Sequence, residues 1–241
     1  MKGKERLLVA LDVDDWDRAR RLADLLCGAV GGFKVGVRLY YRVGAKTLAY
    51  LRDKVPVVFA DLKLHDIPST VAAGVRVLVA QGATLLNVHA AGGRAMMRAA
   101  REAAAEEASR HGVPRPRVVA VTVLTSLDEA ALREEVGIPE PVQTRVLAWA
   151  RLAKEAGLDG VVASPLEAAA IREACGEDFL IVTPGVRPSK ASPGDQRRVL
   201  TPAEAVRAGA DYLVVGRPVI AAPNPLRAAE EIVAGFSSEC E

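Results

Sequence analysis

Eight strand-like segments alternate with helical segments along this chain of 241 residues, and that alternation limits the possible folds more than any other feature. The predicted strands are apolar runs at 7–12, 32–36, 57–62, 84–90, 117–124, 160–164, 179–184 and 212–216. Helical patterns follow at 15–29, 39–52, 69–81, 94–111, 141–156, 166–174, 202–208 and 226–235, and a short acidic helical stretch precedes residue 141. Such alternation predicts a parallel sheet covered by helices. Eight units in about 250 residues favour a closed (β/α)8 barrel, and an open doubly wound sheet is the alternative.

No change of composition and no linker interrupts these units. Residues 1–241 are therefore predicted to form a single (β/α)8 barrel domain, with its active site at the C-terminal ends of the strands. Half of the residues are hydrophobic, which is enough for a large core.

Several classes of function are disfavoured by charge and by the distribution of apolar residues. The net charge of +2 does not indicate a nucleic-acid partner. No apolar run approaches the roughly 20 residues of a membrane span, and the N-terminal stretch lacks the core of a signal peptide. Three widely separated cysteines give neither a disulfide framework nor metal-ligand spacing, so we expect a cytoplasmic protein without a bound metal.

The segment VVFADLKLHDIPSTV, residues 57–71, contains the most distinctive group of charges. Alternation along a strand places Asp61 and Lys63 on one face, and Asp66 follows just before a helix-start signal at Pro68. Burial of such charges is costly unless they pair or take part in chemistry. A surface ion pair is the simpler interpretation, but the position at a strand-to-helix turn favours a functional one.

The other predicted strands also end in polar residues, and in a barrel these ends meet at one mouth. The set predicted from strand ends alone is Asp12, Lys34, Asp61 with Lys63, His89, Thr125, Ser164, Thr183 and Gly216 with Arg217.

A phosphate site is predicted where the last two strands end. The long loop PGVRPSKASPGDQRR, residues 184–198, is of a kind that is either disordered or a lid. Gly216 allows a close backbone approach to an anion, and the Arg217 guanidinium can bind a phosphate through two hydrogen bonds. A solvated loop and an ordinary glycine turn would explain either segment alone, but the loops after strands seven and eight are the usual phosphate site of such barrels.

Motifs throughout the chain resemble those of the orotidine 5′-phosphate decarboxylase family. They are LDVDD, FKVG, FADLKLHDIPSTV, VHAAGG, VTVLTS, TPGVRP, GDQRR and YLVVGRPV, in that order. The resemblance implies a homodimeric enzyme, without metal or cofactor, that decarboxylates orotidine 5′-monophosphate to UMP.

The same resemblance implies roles for individual residues. Lys63 would deliver a proton to C6 of the pyrimidine, within an array formed with Lys34, Asp61 and Asp66. Asp66, Ile67 and Thr70 would reach the site of the other subunit. The substrate-binding residues would be Asp12, Lys34, Ile67, Thr70, Thr125, Pro184, Arg187, Gln196, Gly216 and Arg217, of which Arg187, Gln196, Gly216 and Arg217 would hold the phosphate. Its binding would drive closure of the 184–198 loop.

Two other functions remain open. Sugar-phosphate aldolases or decarboxylases of the same superfamily use Mg²⁺ and place a glutamate where this chain has Lys34, an ammonium that cannot bind a hard cation. A barrel that only binds a phosphorylated ligand is the second alternative. We assign no catalytic role to a histidine: His65 is predicted to be structural, His89 to pack behind the site, and His111 to end a helix.

Overall fold

The computed structural model describes residues 3–186 and 200–237 of the chain. Eight parallel strands close into a barrel in the order β1 to β8, and β8 pairs with β1. Their bounds are β1 Leu7–Ala10, β2 Gly32–Gly36, β3 Val57–Leu64, β4 Leu85–His89, β5 Arg117–Val121, β6 Gly160–Val162, β7 Leu180–Pro184 and β8 Tyr212–Val215. Closure confirms the (β/α)8 barrel and excludes the open sheet.

Helices cover the outside of the barrel. They are α1 Trp16–Leu26, α2 Val37–Val43, α3 Lys46–Arg52, α4 Pro68–Ala80, α5 Gly93–His111, α6 Glu129–Glu134, α7 Val142–Glu155, α8 Ala168–Cys175, α9 Pro202–Arg207, α10 Arg217–Ile220 and α11 Pro225–Ser237. Short 3₁₀ turns occupy Gly3–Arg6, Ala90–Gly92 and Pro165–Glu167. None of the helices within the described ranges is long and apolar enough to cross a bilayer.

Local sequence signals set several helix boundaries. Asp15 begins α1 because its carboxylate accepts hydrogen bonds from the backbone N–H groups of Asp17 and Arg18. Thr201 and Glu204 form a reciprocal capping box at the start of α9. The single helix predicted at 39–52 is wrong: Gly44 has a φ of 77° and separates α2 from α3.

Two apolar cores lie on the two faces of the sheet. A large core fills the space between the strands and the helices, and a smaller one fills the barrel interior. The interior core consists of Leu8, Ala10, Phe59, Leu85, Val119, Leu180, Val182, Tyr212 and Val214. Because side chains alternate along each strand, the next inward positions toward the carboxyl ends decide what lines the mouth.

At the opposite end of the barrel, the side chain of Arg172 links several neighbouring segments of the chain. The guanidinium of Arg172 on α8 donates to the carbonyls of Gly176, Glu177 and Phe179 at 2.9, 2.7 and 2.8 Å. It also donates to the carboxylate of Asp211, just before β8, at 2.8 Å. One largely buried cation thus joins α8 to the segments that lead into β7 and β8.

Candidate active site

A cavity of about 500 Å³ opens at the carboxyl ends of the strands. It is lined by Ala10, Asp12, Lys34, Arg38, Phe59, Asp61, Lys63, Val121, Val123, Leu124, Thr125, Val162, Ala163, Pro184, Val186, Val214, Gly216, Arg217 and Pro218. Of the polar strand-end residues predicted from sequence, Asp12, Lys34, Asp61, Lys63, Thr125, Gly216 and Arg217 line this one cavity.

Lys34 is a buried cation held between two carboxylates. Its neighbours Phe33 and Val35 pack into the outer core, so the Lys34 side chain points into the barrel. Its Nζ lies 3.0 Å from Asp12 Oδ1 and 3.1 Å from Asp61 Oδ2. Burial acts to lower the pKa of Lys34, but Asp61 and Asp12 outweigh it and raise the pKa above its ordinary value. Lys34 therefore remains an ammonium.

Asp61 uses both of its carboxylate oxygens. Oδ1 accepts hydrogen bonds from Lys63 Nζ at 2.6 Å and from Asn87 Nδ2 at 2.7 Å, while Oδ2 faces Lys34. Burial acts to raise the pKa of Asp61, but the charges of Lys34 and Lys63 dominate and lower it from 3.8 to about 2. The chain thus carries an ordered row of alternating charges, from Asp12 through Lys34 and Asp61 to Lys63.

Lys63 has an unusual backbone conformation. It has a φ of 52°, and no other non-glycine residue in the described ranges has a positive φ. The pairing of β3 with β4 shifts here: Ala60 pairs with Leu86 and Leu64 with Val88, so β3 contains two extra residues. A left-handed non-glycine residue costs about 1–3 kcal/mol. The strand predicted at 57–62 thus extends to Leu64 and contains a bulge. The Lys63 side chain, 38% exposed, reaches the mouth of the cavity.

Asn87 belongs to the same hydrogen-bond network and was not predicted. It is 1% exposed, and its Oδ1 accepts a hydrogen bond from the Lys63 backbone N–H at 2.8 Å. A signal was present in the sequence, because an asparagine in the apolar strand TLLNVHA must find hydrogen-bond partners when it is buried.

Asp66, Ile67 and Thr70 lie outside the cavity of their own chain within the described part of the molecule. All three are exposed at the turn into α4. The Asp66 carboxylate accepts a hydrogen bond from the Ile67 N–H at 2.6 Å. The Ile67 side chain, 64% exposed, is a large apolar group in solvent beside the mouth.

The predicted phosphate end is described in part. Pro184, Gly216 and Arg217 line the cavity on the side of β7 and β8. Arg187 and Gln196 lie outside the described residues, which include only residues 184–186 of the 184–198 loop.

Three residues of the strand-end set, His89, Ser164 and Thr183, do not line the cavity. Ser164 is fully buried, and its Oγ accepts a hydrogen bond from the Leu166 N–H. Thr183 is also buried, and alternation directs it outward because its neighbours Val182 and Pro184 face the interior.

Two histidines, His65 and His89, lie close to each other near Lys63, and the third, His111, lies at the end of α5. The ring of His89 lies 5.3 Å from that of His65. Burial, His65 and Lys63 lower the pKa of His89 to about 4, so its imidazole is neutral at pH 7. His111 ends α5, where its Nε2 lies 3.0 Å from Glu107 Oε1.

In the ranges 3–186 and 200–237 no group of three or more His, Cys, Asp or Glu side chains is arranged to hold a metal ion. The two carboxylates in the described lining of the cavity, Asp12 and Asp61, have the Lys34 ammonium between them. That ammonium occupies the space in which a divalent cation would bind both carboxylates.

Comparison with known proteins gives consistent results. The model of the orotidine 5′-phosphate decarboxylase / HUMPS family matches residues 5–232. A protein named orotidine 5′-phosphate decarboxylase from Moorella thermoacetica is 56% identical over 97% of this chain and 93% of that relative. One with the same name from Geotalea daltonii is 51% identical over 97% and 96%. The crystal structure of orotidine 5′-phosphate decarboxylase from Lactobacillus acidophilus has a TM-score of 0.82 and 36% identity, covering 95% of this chain and 98% of that one.

Proposed function

The chain belongs to the orotidine 5′-phosphate decarboxylase / HUMPS family, and from that premise we propose that it is the carboxy-lyase that converts orotidine 5′-monophosphate to UMP and CO₂ in pyrimidine synthesis. We further propose that it needs neither a metal nor an organic cofactor. The observation that carries the proposal is the row of alternating charges, in which Lys63 Nζ lies 2.6 Å from Asp61 Oδ1 at the cavity mouth. Such an array suits a reaction that develops negative charge on carbon.

Lys63 is the proposed proton donor. When the bond between C6 and the carboxylate breaks, CO₂ leaves and the electron pair remains on C6. An ammonium fixed beside C6 stabilises this developing charge, and transfer of its proton forms the C6–H bond of UMP. The electron pair ends in the C6–H bond, so no external electron acceptor is required. The neutral amine of Lys63 then regains a proton from solvent.

Asp61 is proposed to act on the carboxylate that leaves. With a pKa of about 2 it stays ionised throughout the physiological range. A fixed negative charge beside the substrate carboxylate disfavours the bound ground state, and loss of CO₂ relieves that repulsion. The Lys34 ammonium, paired with Asp61 and Asp12, keeps Asp61 in place, and Asp12 and Lys34 are also proposed to bind the ribose hydroxyls.

The opposite side of the cavity is proposed to bind the rest of the nucleotide. Thr125 would contact the pyrimidine, and Gly216 and Arg217 would bind the phosphate next to Pro184, which supports this orientation by lining the same cavity. Arg187 and Gln196 complete the proposed phosphate site, although they lie outside the described residues. Binding energy from the phosphate would then be used to assemble the distant reacting groups.

A homodimer is the proposed active form. The exposure of Asp66, Ile67 and Thr70 supports it, because a second copy that covers the apolar Ile67 would bring Asp66 toward the partner's Lys63. We also propose a cytoplasmic location. In the described part of the chain Cys27 and Cys175 form no disulfide, and Cys240 lies outside it.

The alternative function is that of the Mg²⁺-dependent sugar-phosphate enzymes of the same superfamily. The geometry favours the decarboxylase, because the Lys34 ammonium already pairs with both Asp12 and Asp61. The third possibility, a barrel that only binds a phosphorylated ligand, is disfavoured because the groups proposed for the chemistry, Lys63 and Asp61, are both present and lie 2.6 Å apart.

One experiment distinguishes the three functions. Protein dialysed against EDTA is incubated with orotidine 5′-monophosphate, and UMP is quantified by chromatography. We expect UMP to form at the same rate before and after chelation. Activity that is lost with EDTA and restored by Mg²⁺ would contradict metal independence. Absence of UMP under both conditions, together with tight binding of the nucleotide, would identify a binding protein.

A further inference from the structure

Asn87 lies in the middle of β4, and its side chain enters the barrel interior just below the charged row. It is 1% exposed and, within the described residues, does not line the cavity. We propose that Asn87 is a positioning residue, which fixes the backbone of Lys63 and the carboxylate of Asp61 relative to each other so that Lys63 Nζ is aimed at C6. This inference rests on the decarboxylation proposed above.

The first support is the direction of the two hydrogen bonds. Asn87 Oδ1 accepts from the backbone N–H of Lys63 at 2.8 Å, and Asn87 Nδ2 donates to Asp61 Oδ1 at 2.7 Å. That same oxygen accepts from Lys63 Nζ at 2.6 Å. One amide group therefore contacts Lys63 at its backbone and contacts the carboxylate that binds its ammonium.

The second support is the bulge in β3. Between Ala60 and Leu64 the pairing with β4 shifts, and Lys63 adopts a φ of 52°. Its N–H is not part of the regular ladder there, and the side chain of Asn87 supplies the acceptor. Without that acceptor the N–H would be unsatisfied, and the strained conformation would lose the interaction that holds it. Relaxation of this conformation would change where the Lys63 side chain lies relative to Asp61.

The third support is chemical. The position requires one acceptor and one donor at opposite ends of a short planar group, and an asparagine side chain supplies both. Leucine fills a similar volume and supplies neither. An ionised aspartate supplies the acceptor but places a second negative charge against Asp61. Comparison of these two substitutions distinguishes positioning by hydrogen bonds from simple filling of space.

The test compares wild-type protein with Asn87→Leu and Asn87→Asp. For Asn87→Leu we expect kcat to fall about 100-fold, the usual consequence of displacing a reacting group by about 1 Å. KM for orotidine 5′-monophosphate and the calorimetric Kd of UMP should change by less than about threefold, because the proposed nucleotide-binding groups are untouched. Thr122→Val is the matched control: Thr122 is 2% exposed and its Oγ1 donates to the Val162 carbonyl at 2.9 Å. It should lower stability and leave kcat unchanged.

Asn87→Asp should show a dependence on pH that the wild type lacks. The new carboxylate would lie beside Asp61, so the pair should retain one proton at a pH where a lone carboxyl group has lost it. The protonated form both donates and accepts, as the amide does. The charged groups around position 87 are Asp61, Lys63 and Lys34. His89, with a pKa of about 4, stays neutral in this range of pH. The neighbouring strand β5 presents the apolar Val119 and Val121 to the interior. We therefore expect the kcat of Asn87→Asp, relative to wild type, to rise as the pH falls from about 8 to about 5.

A direct observation of Lys63 makes the test independent of turnover. In protein labelled with ¹³C at lysine Cε, the Lys63 signal, assigned with Lys63→Arg, should shift in Asn87→Leu, while the signals of lysines outside the charged row stay in place. An unchanged Lys63 signal, an unchanged kcat per folded molecule, or an equal loss of kcat and of UMP affinity would each overturn the positioning role. If wild-type protein fails to form UMP, the proposed function fails, and the Lys63 signal still decides whether Asn87 positions Lys63.

Discussion

Replacement of Asp61 by asparagine tests whether the charged row stabilises the folded chain or is maintained at its expense. Asp61 is 8% exposed, so its interactions are little screened by solvent. Burial acts to raise its pKa, yet Lys34 and Lys63 lower it from 3.8 to about 2. Each pKa unit corresponds to about 1.4 kcal/mol, so the ionised form should contribute about 2 kcal/mol of stability at neutral pH.

The pH dependence has a definite sign. Because the pKa of Asp61 is lower in the folded chain than in the unfolded chain, its contribution is fully present above pH 4 and is lost as the pH falls through about 2. The Asp61→Asn chain lacks this carboxylate. The difference in unfolding free energy between wild type and Asp61→Asn should therefore be about 1 kcal/mol smaller at pH 3 than at pH 7. At pH 7 the full difference should be about 3 kcal/mol, since removing one member of a buried ion pair leaves the others unpaired.

Urea unfolding at a fixed protein concentration, repeated from pH 7 to pH 3, measures this difference. Asp53→Asn serves as the control, because Asp53 is exposed and pairs only with the adjacent Arg52 among the described ion pairs. That variant should differ from wild type by less than about 1 kcal/mol at every pH. An equal advantage of wild type at pH 7 and pH 3 would refute the pKa argument. Greater stability of Asp61→Asn would show that the charges strain the fold, as active sites often do.

Three further predictions concern the phosphate side, the dimer and the base of the barrel. Arg217→Ala should lose much of its kcat/KM on orotidine 5′-monophosphate and little on the phosphate-free nucleoside; equal fractional losses would show that Arg217 does not act through the phosphate. Lys63→Ala and Asp66→Asn should each be nearly inactive, and refolding them together should restore about a quarter of wild-type activity, because half of the dimers are mixed and half of their sites are intact. No recovery on mixing would mean that Asp66 serves its own chain. Arg172→Ala should lower the free energy of unfolding by about 3 kcal/mol and leave kcat per folded molecule unchanged. The control Lys154→Met, which removes one hydrogen bond to the Cys175 carbonyl, should lower the free energy of unfolding by about 1 kcal/mol. Equal stability of the two variants in urea would contradict the role given to Arg172.

Much of the architecture follows from the sequence, because period-2 and period-3.6 apolar patterns are local properties that survive folding. The order of the segments and the positions of polar residues along the chain were enough to predict the eight strands and the closure of the barrel. They also predicted that four charged residues meet at one mouth: Asp12, Lys34, Asp61 and Lys63. Errors arose where the pattern gives position without orientation. Thr183 ends a strand as predicted, yet alternation from Val182 directs it away from the cavity.

The conformation of Lys63 was beyond prediction from sequence patterns. A strand read by alternation places Asp61 and Lys63 on one face, and both do line the cavity. They reach it through a bulge and a left-handed residue, which depend on the pairing of β3 with β4 and so on residues distant in the chain. Asn87, the residue that accepts the Lys63 N–H, lies 24 positions away. The local sequence indicates that a buried Asn87 needs hydrogen-bond partners, but only the closed barrel determines that Lys63 is one of them.

The two ends of the barrel have different physical requirements, and this explains where the costly features lie. At the amino ends of the strands, Arg172 joins α8 to the start of β8, and Arg115 pairs with Asp159, whose carboxylate also accepts the Val118 N–H at 2.7 Å. These contacts satisfy polar groups with ordinary geometry and favour the folded state. At the carboxyl ends, the chain holds Lys63 in a strained conformation beside a buried network of charges. Because the barrel closes through all eight strands, stability gained at one end supports strain at the other. Substitutions at the base should therefore change stability without changing chemistry, and substitutions at the mouth should change chemistry by more than their effect on stability would account for.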